Sequence, residues 1–425
     1  MRRKTDNMNE IRQKINSIAL YVKALLKWTV LAAVVGLAGG LVGSVFHISI
    51  DYVTELRDHN SWLVYLLPLG GIIIAGMYCL CRRYGRLDTN RILEAVQTEE
   101  KVPFILAPLI FIGAVITHLL GGSAGREGAA LQLGGSIGYR IGKTVKLNKE
   151  DMHLIVMSGM SAVFAALFGT PLTAAVFALE VTCVGIMYYA ALFPCVISSL
   201  TAFAVAGVFG IPPVRFGAIV MGDVSWHLAL KLMLLSVACA VVSIAFCASV
   251  KSCERLGKRY IPNAYLRAFT GGMIVVLLTV LVQNTDYNGA GMSVIESALS
   301  GSARPEAFIL KMIFTAITIA AGFKGGEIVP AFFVGSTFGC TAASLIGIEP
   351  SFGAAVGFTA VFCGVVNCPV ASIMLALEVF GADYIAVFAA VCAVSYMMSG
   401  NYGLYKSQKI VYSKLDAHYI DINAK

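Results

Sequence analysis

Two glutamates in this chain stand in segments where glycine leaves almost no side-chain bulk. Residues 121–138 read GGSAGREGAALQLGGSIG and residues 324–339 read KGGEIVPAFFVGSTFG, so that Glu127 and Glu327 each head an apolar run. A helix that begins there offers unpaired backbone N–H groups and a positive dipole end, and glycine lets a ligand approach that backbone closely. An anion is the natural guest of such a nest. The residues that would build it are Gly125, Arg126 and Gly128 around Glu127, and Gly326, Ile328 and Val329 around Glu327. A carboxylate at the same place has two states. Ionised, it fills the nest; protonated, it loses the attraction, swings away and takes a proton with it. The pattern predicts an anion site whose gate is also a proton carrier. Helix capping and tight packing use the same residue types, but an intramembrane carboxylate with a second one in a matching motif favours function.

Composition supplies the membrane. The chain is 58% hydrophobic and 13% charged, with a mean hydropathy of +0.79, too apolar for a soluble globule of 425 residues. Apolar runs of bilayer-spanning length recur at Trp28–Ile50, Trp62–Cys81, Val102–Leu120, Leu232–Val250 and Tyr384–Met398, while others such as Leu154–Gly169 are short or broken by Gly and Pro. The expected fold class is all-α, a polytopic helical membrane protein. The opening MRRKTDNMNEIRQKINS is long and polar, and no small-residue cleavage site follows the first apolar run, which argues against a cleavable signal. The net charge of +8 belongs to topology; no soluble basic fold for nucleic acid is present. Eleven cysteines, Cys79 and Cys81 among them, form no CxxC array and read as buried hydrophobes. His47 and His118 read as packing residues. GGSAG fits G-x-S-x-G, but an apolar helix precedes it where a nucleophile elbow needs a strand, and no HExxH occurs. Neither an enzyme nor a cofactor or metal is expected.

The sequence also repeats at an offset of about 200 residues. Trp28 matches Trp226, RILEAV (91–96) resembles SVIESAL (293–299), and PLTAAVFALEV (171–181) pairs with PVASIMLALEV (369–379), Pro171 and Glu180 falling on Pro369 and Glu378. In the glycine segments Gly125, Glu127, Gly135 and Ser136 fall on Gly325, Glu327, Gly335 and Ser336. Charge orients the halves. Arg2, Arg3, Lys4, Arg12 and Lys14 place the N-terminus inside; DYVTELRDHN suits the outside, and Arg82, Arg83 and Arg86 the inside. In the second half the bias flips: KSCERLGKRYIPNAYLR belongs inside, and QNTDYNGAG carries no basic residue. Equivalent loops with opposite bias make an inverted repeat, whose broken helices meet at a midplane site. The expected division is an N-terminal cytoplasmic helix (1–27), a first repeat (28–210), a second (226–405) and a short cytoplasmic tail (406–425), with no C-terminal regulatory domain.

These motifs resemble the CLC family of chloride channels and anion/proton exchangers, from about Trp28 to Tyr405. The family's G-R-E-G-P appears as Gly125-Arg126-Glu127-Gly128-Ala129, and its G-x-F-x-P as Gly326-Glu327-Ile328-Val329-Pro330. Its late tyrosine, whose hydroxyl donates to the central anion, matches Tyr405. The resemblance implies a homodimer with a pore in each subunit, Glu127 as external gate, a bacterial-type inner membrane, cytoplasmic termini, and lipid, halide and protons as partners. The departures are informative. Where chloride-selective members carry G-S-G-I-P this chain has RLDTN, with Leu87 on the serine position and Asn90 as the further anion-facing candidate. The inner proton glutamate is replaced by Val181, and Glu327 is an added carboxylate, though the threonine that commonly follows it is Val329. This combination is similar to the branch that exports fluoride in exchange for protons. Fluoride/proton antiport is therefore the leading expectation, ahead of chloride/proton exchange and a passive chloride channel. Fluoride is a small, strong hydrogen-bond acceptor and its conjugate acid is weak, so proton-linked handling is chemically sensible.

Overall fold

The computed structural model describes residues 2–85, 87–98, 100–217, 225–416 and 418–425, of which 2–15 by their helix alone. Among the described residues the chain forms eight helices in each half. The first half holds α1 (Arg2–His59), α2 (Leu67–Leu80), α3 (Thr89–Gln97), α4 (Leu106–Leu119), α5 (Glu127–Thr144), α6 (Lys149–Phe168), α7 (Pro171–Glu180) and α8 (Leu192–Val208). The second holds α9 (Trp226–Tyr260), α10 (Ala264–Val282), α11 (Met292–Leu299), α12 (Ala307–Ala321), α13 (Ile328–Ile346), α14 (Pro350–Val366), α15 (Pro369–Phe380) and α16 (Ile385–Met398). RILEAV and SVIESAL lie on the short helices α3 and α11, as the repeat requires. By length and composition, 7 helices among the described residues suffice to cross a membrane, and six shorter apolar helices accompany them. That mixture is what broken, paired half-helices produce. Arg86, one of the charges used for orientation, and residues 218–224 between the halves lie outside the described residues.

Local sequence explains where the elements stop. Asp88 and Asn148 cap α3 and α6, their side chains accepting from the N–H groups of Arg91 and Asp151. Pro171 and Pro369 open α7 and α15, where a missing N–H costs nothing. Gly169 and Asn367 end α6 and α14 in the left-handed conformation, at φ 65° and 57°. The two scaffold pairs, α5 with α6 and α13 with α14, cross at glycine. A Cβ on Gly134 would lie 2.1 Å from the carbonyl oxygen of Gly159, and one on Gly335 2.3 Å from that of Gly357. Backbones approach there as closely as small residues allow.

Helices α7 and α15 cap one another across the repeat. Glu180, at the end of α7, accepts from the N–H groups of Val370 and Ala371 at 3.2 and 2.7 Å. Glu378 accepts from Leu172 N, Thr173 N and the Thr173 hydroxyl at 2.9, 2.8 and 2.6 Å. Two helix starts thus receive carboxylates from the opposing half.

Residues 406–425 do more than the expected short tail. They form β2 (Lys409–Tyr412) and β3 (Tyr419–Asn423), antiparallel to each other, with β2 parallel to β1 (Cys183–Val184). The all-α expectation holds for the membrane part and misses this small sheet, whose brief segments alternate too few residues to stand out beside long apolar runs.

Candidate functional site

The N-terminal ends of α5 and α13 meet head to head. Gly125 and Gly326 form an antiparallel bridge in which each N–H donates to the other's carbonyl at 2.7 Å. This bridge corrects the repeat register. Gly125 pairs with Gly326, Arg126 and Glu327 are the N-cap residues of α5 and α13, and Glu127 corresponds to Ile328. The glycine crossings agree, Gly134 taking the place of Gly335. The two glutamates are therefore one residue out of equivalence, and at about 100° per helical residue their side chains leave in different directions.

Glu127 is fully buried, and its carboxylate sits over the glycine bridge. A Cβ on Gly125 or Gly326 would come within 2.3 or 2.5 Å of its Oε2. Only glycine admits a carboxylate so close to both strands of the bridge. Oε1 accepts from Arg126 N–H at 3.2 Å, the group faces the N–H of Val329, and Oε2 has no bonded donor. The side chain thus occupies the nest that the two half-helices form. Ile328 and Val329 are buried beside it and offer backbone, as expected, while Gly128 packs its backbone against Gly325 and Gly326.

The guanidinium of Arg126 does not face this nest. It lies 3.1 Å from Asp51 and 5.8 Å above the Phe168 ring, and Asp51 also meets His47 Nε2 at 2.9 Å. His47, expected to be a packing residue, is thereby part of the clamp on the glutamate's neighbour. His118 bonds its own helix through Ala114 O. The Ser123 hydroxyl bonds Thr315 at 3.0 Å and its N–H bonds Thr318, so the serine of GGSAG fixes the loop that leads into α5.

A cavity of about 640 Å³ opens to one face of the protein and ends at Glu327, Tyr405, Leu87, Asn90 and Gln132. Lys251, Lys258, Arg267, Lys324 and Lys406 line it, against Glu254, Asp88 and Glu94. Glu254 is held between Lys258 and Lys406, both at 2.5 Å. Net positive charge in a low-dielectric mouth raises the local anion concentration. A separate small void of about 20 Å³ is lined by Arg126, Val329, Phe332 and Phe358, and the Phe332 and Phe358 rings stack at 4.0 Å.

The Tyr405 hydroxyl is buried without a partner. Its turn is clamped from α3: Asn90 Oδ1 accepts from Ser407 N–H at 3.0 Å, Glu94 from the Ser407 hydroxyl at 2.5 Å, and Gln97 Nε2 donates to Ser407 O at 2.9 Å. The oxygen end of Asn90 is thus committed to holding Tyr405's turn. Gln408 adds bonds to Val181 O and Val366 O at 3.1 and 2.7 Å. Leu87 forms apolar wall. Sequence reasoning passed over Thr89 and Gln132, whose side chains meet at 2.9 Å. The available signal was the row Gly128, Gln132, Ser136 at helical spacing on an otherwise apolar half-helix.

The sequence and fold resemble those of known proteins. The family model described as voltage gated chloride channel matches residues 75–400. A chloride/fluoride channel protein of Pseudomonas syringae pv. tomato is 35% identical over 400 residues, covering 92% of this chain and 88% of the relative. The H(+)/Cl(-) exchange transporter ClcA of Vibrio campbellii is 25% identical over 393 residues, 84% of this chain and 82% of its own. Among solved structures, a CLC-type fluoride/proton antiporter superposes with a TM-score of 0.86 at 32% identity, over 90% of this chain and 98% of that one. A slow cyanobacterial Cl−/H+ antiporter gives 0.76 at 20% identity, over 88% and 94%, and shares the fold.

Proposed function

Because this chain belongs to the voltage gated chloride channel (CLC) family of anion transporters and channels, we propose that the anion it carries is fluoride and that export is coupled to protons entering. The observation that carries this reading is the Glu127 carboxylate seated over the Gly125–Gly326 bridge, between two half-helix N-termini. A carboxylate in an anion's place must leave for the anion to pass, and protonation is what releases it. Glu327 at the end of the open cavity is the second proton-bearing group, in a chain whose usual inner glutamate position is Val181. Fluoride demands strong donors, and the nest offers N–H groups with the Tyr405 hydroxyl close by in the cavity. The relative named for chloride and fluoride supports the same choice.

The basic cavity mouth, the tail sheet and the N-terminal segment are read as cytoplasmic, and Arg126 with Asp51 as external, following the distribution of Lys and Arg. A homodimer within the inner membrane is inferred from the family resemblance alone. Selectivity is tested with purified protein in liposomes loaded with equal fluoride and chloride. Fluoride efflux, followed by electrode, should outrun chloride efflux; chloride moving as fast or faster would assign the chain to chloride exchange or conduction.

A further inference from the structure

Among the buried polar atoms that lack a partner are Oε2 of Glu127, the Tyr405 hydroxyl and Oε1 of Gln132. The first two belong to the gate and the anion donors. Gln132 has no role so far. It is 4% exposed and shares the cavity wall with Leu87, Glu327 and Tyr405. Its Nε2 donates to Thr89 Oγ1 at 2.9 Å, while Thr89 stands 3.5 Å from Gly128 O. Helix geometry already commits that carbonyl to the N–H of Gln132 itself.

In this arrangement a carbonyl oxygen is buried with no donor, an expensive condition for an amide. A half-turn of the carboxamide exchanges its ends. The Thr89 hydroxyl then donates to Oε1, and both N–H bonds of Nε2 point where the orphaned oxygen pointed. The two N–H groups of Nε2 then have no protein acceptor, and the protein presents donors where it had presented an acceptor.

We propose that Gln132, oriented by Thr89, donates to the anion as it passes between the cavity and Glu127, filling the role of the hydroxyl that Leu87 lacks. The inference rests on reading this cavity as the anion's route. A carboxamide suits the place because it does not titrate: it binds fluoride without competing for the protons that Glu127 and Glu327 carry. Thr89 is a positioning residue that fixes which end of the amide faces the anion.

The test is sodium fluoride binding by calorimetry on purified protein, with fluoride efflux from liposomes and thermal melting alongside. Gln132→Leu should bind fluoride roughly 10- to 100-fold more weakly, the loss expected for a hydrogen bond to a charged partner, with melting unchanged. Gln132→Glu offers a donor only when protonated, so its affinity relative to wild type should fall as pH rises; a packing role predicts a constant ratio. Thr89→Val should weaken binding in the same direction by less. Binding and efflux equal to wild type in Gln132→Leu overturn the inference. If that variant does not fold, a constant ratio across pH in Gln132→Glu does so. Wild-type protein that moves neither fluoride nor chloride would instead overturn the transport reading beneath it.

Discussion

On the proposed reading, side chain and substrate compete for one place at Glu127. The glycine bridge admits the carboxylate so closely that no anion can share it, and the proton is what decides occupancy. Glu127→Gln keeps size and loses ionisation, so proton coupling should vanish while anion flow persists; anion movement that still drives protons at the wild-type ratio would remove Glu127 from the coupling role. Tyr405→Phe deletes a hydroxyl that has no protein partner. If its partner is the anion, fluoride affinity should drop by about 1.5–3 kcal/mol, and unchanged calorimetric binding would return the ring to packing. Glu327 needs a different argument now that it matches Arg126 in the repeat. It is the N-cap of α13 and lines the open cavity, where it can exchange protons with one side while Glu127 faces the other. Glu327→Gln should slow proton-coupled export and leave melting unchanged, since the amide retains the shape of the side chain; wild-type fluxes in both ions would remove Glu327 from the coupling role.

The half-helices work because other elements fix their ends. Clamps from Arg126 to Asp51, from Ser123 to Thr315 and Thr318, and from α3 to the Tyr405 turn hold the donors against the glycine bridge. Mutual capping of α7 and α15 is the same device further out. Glu378→Ala leaves the N-terminus of α15's partner without acceptors and should cost about 1–2 kcal/mol, seen as a lower melting temperature with transport per folded molecule preserved. An unchanged melt would mean that water or lipid headgroups replace the carboxylate. Sequence made much of this visible. The broken helices could be read because Gly and a carboxylate open them, and the pairing of Pro171 and Glu180 with Pro369 and Glu378 because both residues recur. The register of the glycine segments could not be read to one residue, since Gly-Gly runs align equally well in either frame. The bridge, the helix starts and the glycine crossings together distinguish Gly325 from Gly326. Thr89 was hidden for a related reason: a single polar residue opening a short helix has no periodic trace, whereas Gln132 left only the faint row it shares with Gly128 and Ser136.

On the scale of the whole molecule, two inverted halves give a single nest with unlike approaches. A wide cavity lined by five basic residues runs to Glu327 and Tyr405, and the stacked Phe332 and Phe358 line a much smaller void beside Arg126 and Val329. On the proposed orientation and gating role, the protein holds one half of an exchange cycle: open to the side from which an anion would leave the cell, and blocked by the Glu127 carboxylate until a proton arrives. The proposed orientation of the halves rests on Lys and Arg counts alone. The direct test of coupled exchange is made in liposomes that contain wild-type protein and fluoride, suspended in fluoride-free buffer with no initial pH difference and with the membrane potential clamped. Fluoride leaving through an obligate exchanger must bring protons in, so the lumen should acidify against the gradient it creates, with chloride producing less and Glu127→Gln none. Fluoride efflux without luminal acidification would contradict the account and leave a passive anion pathway in its place.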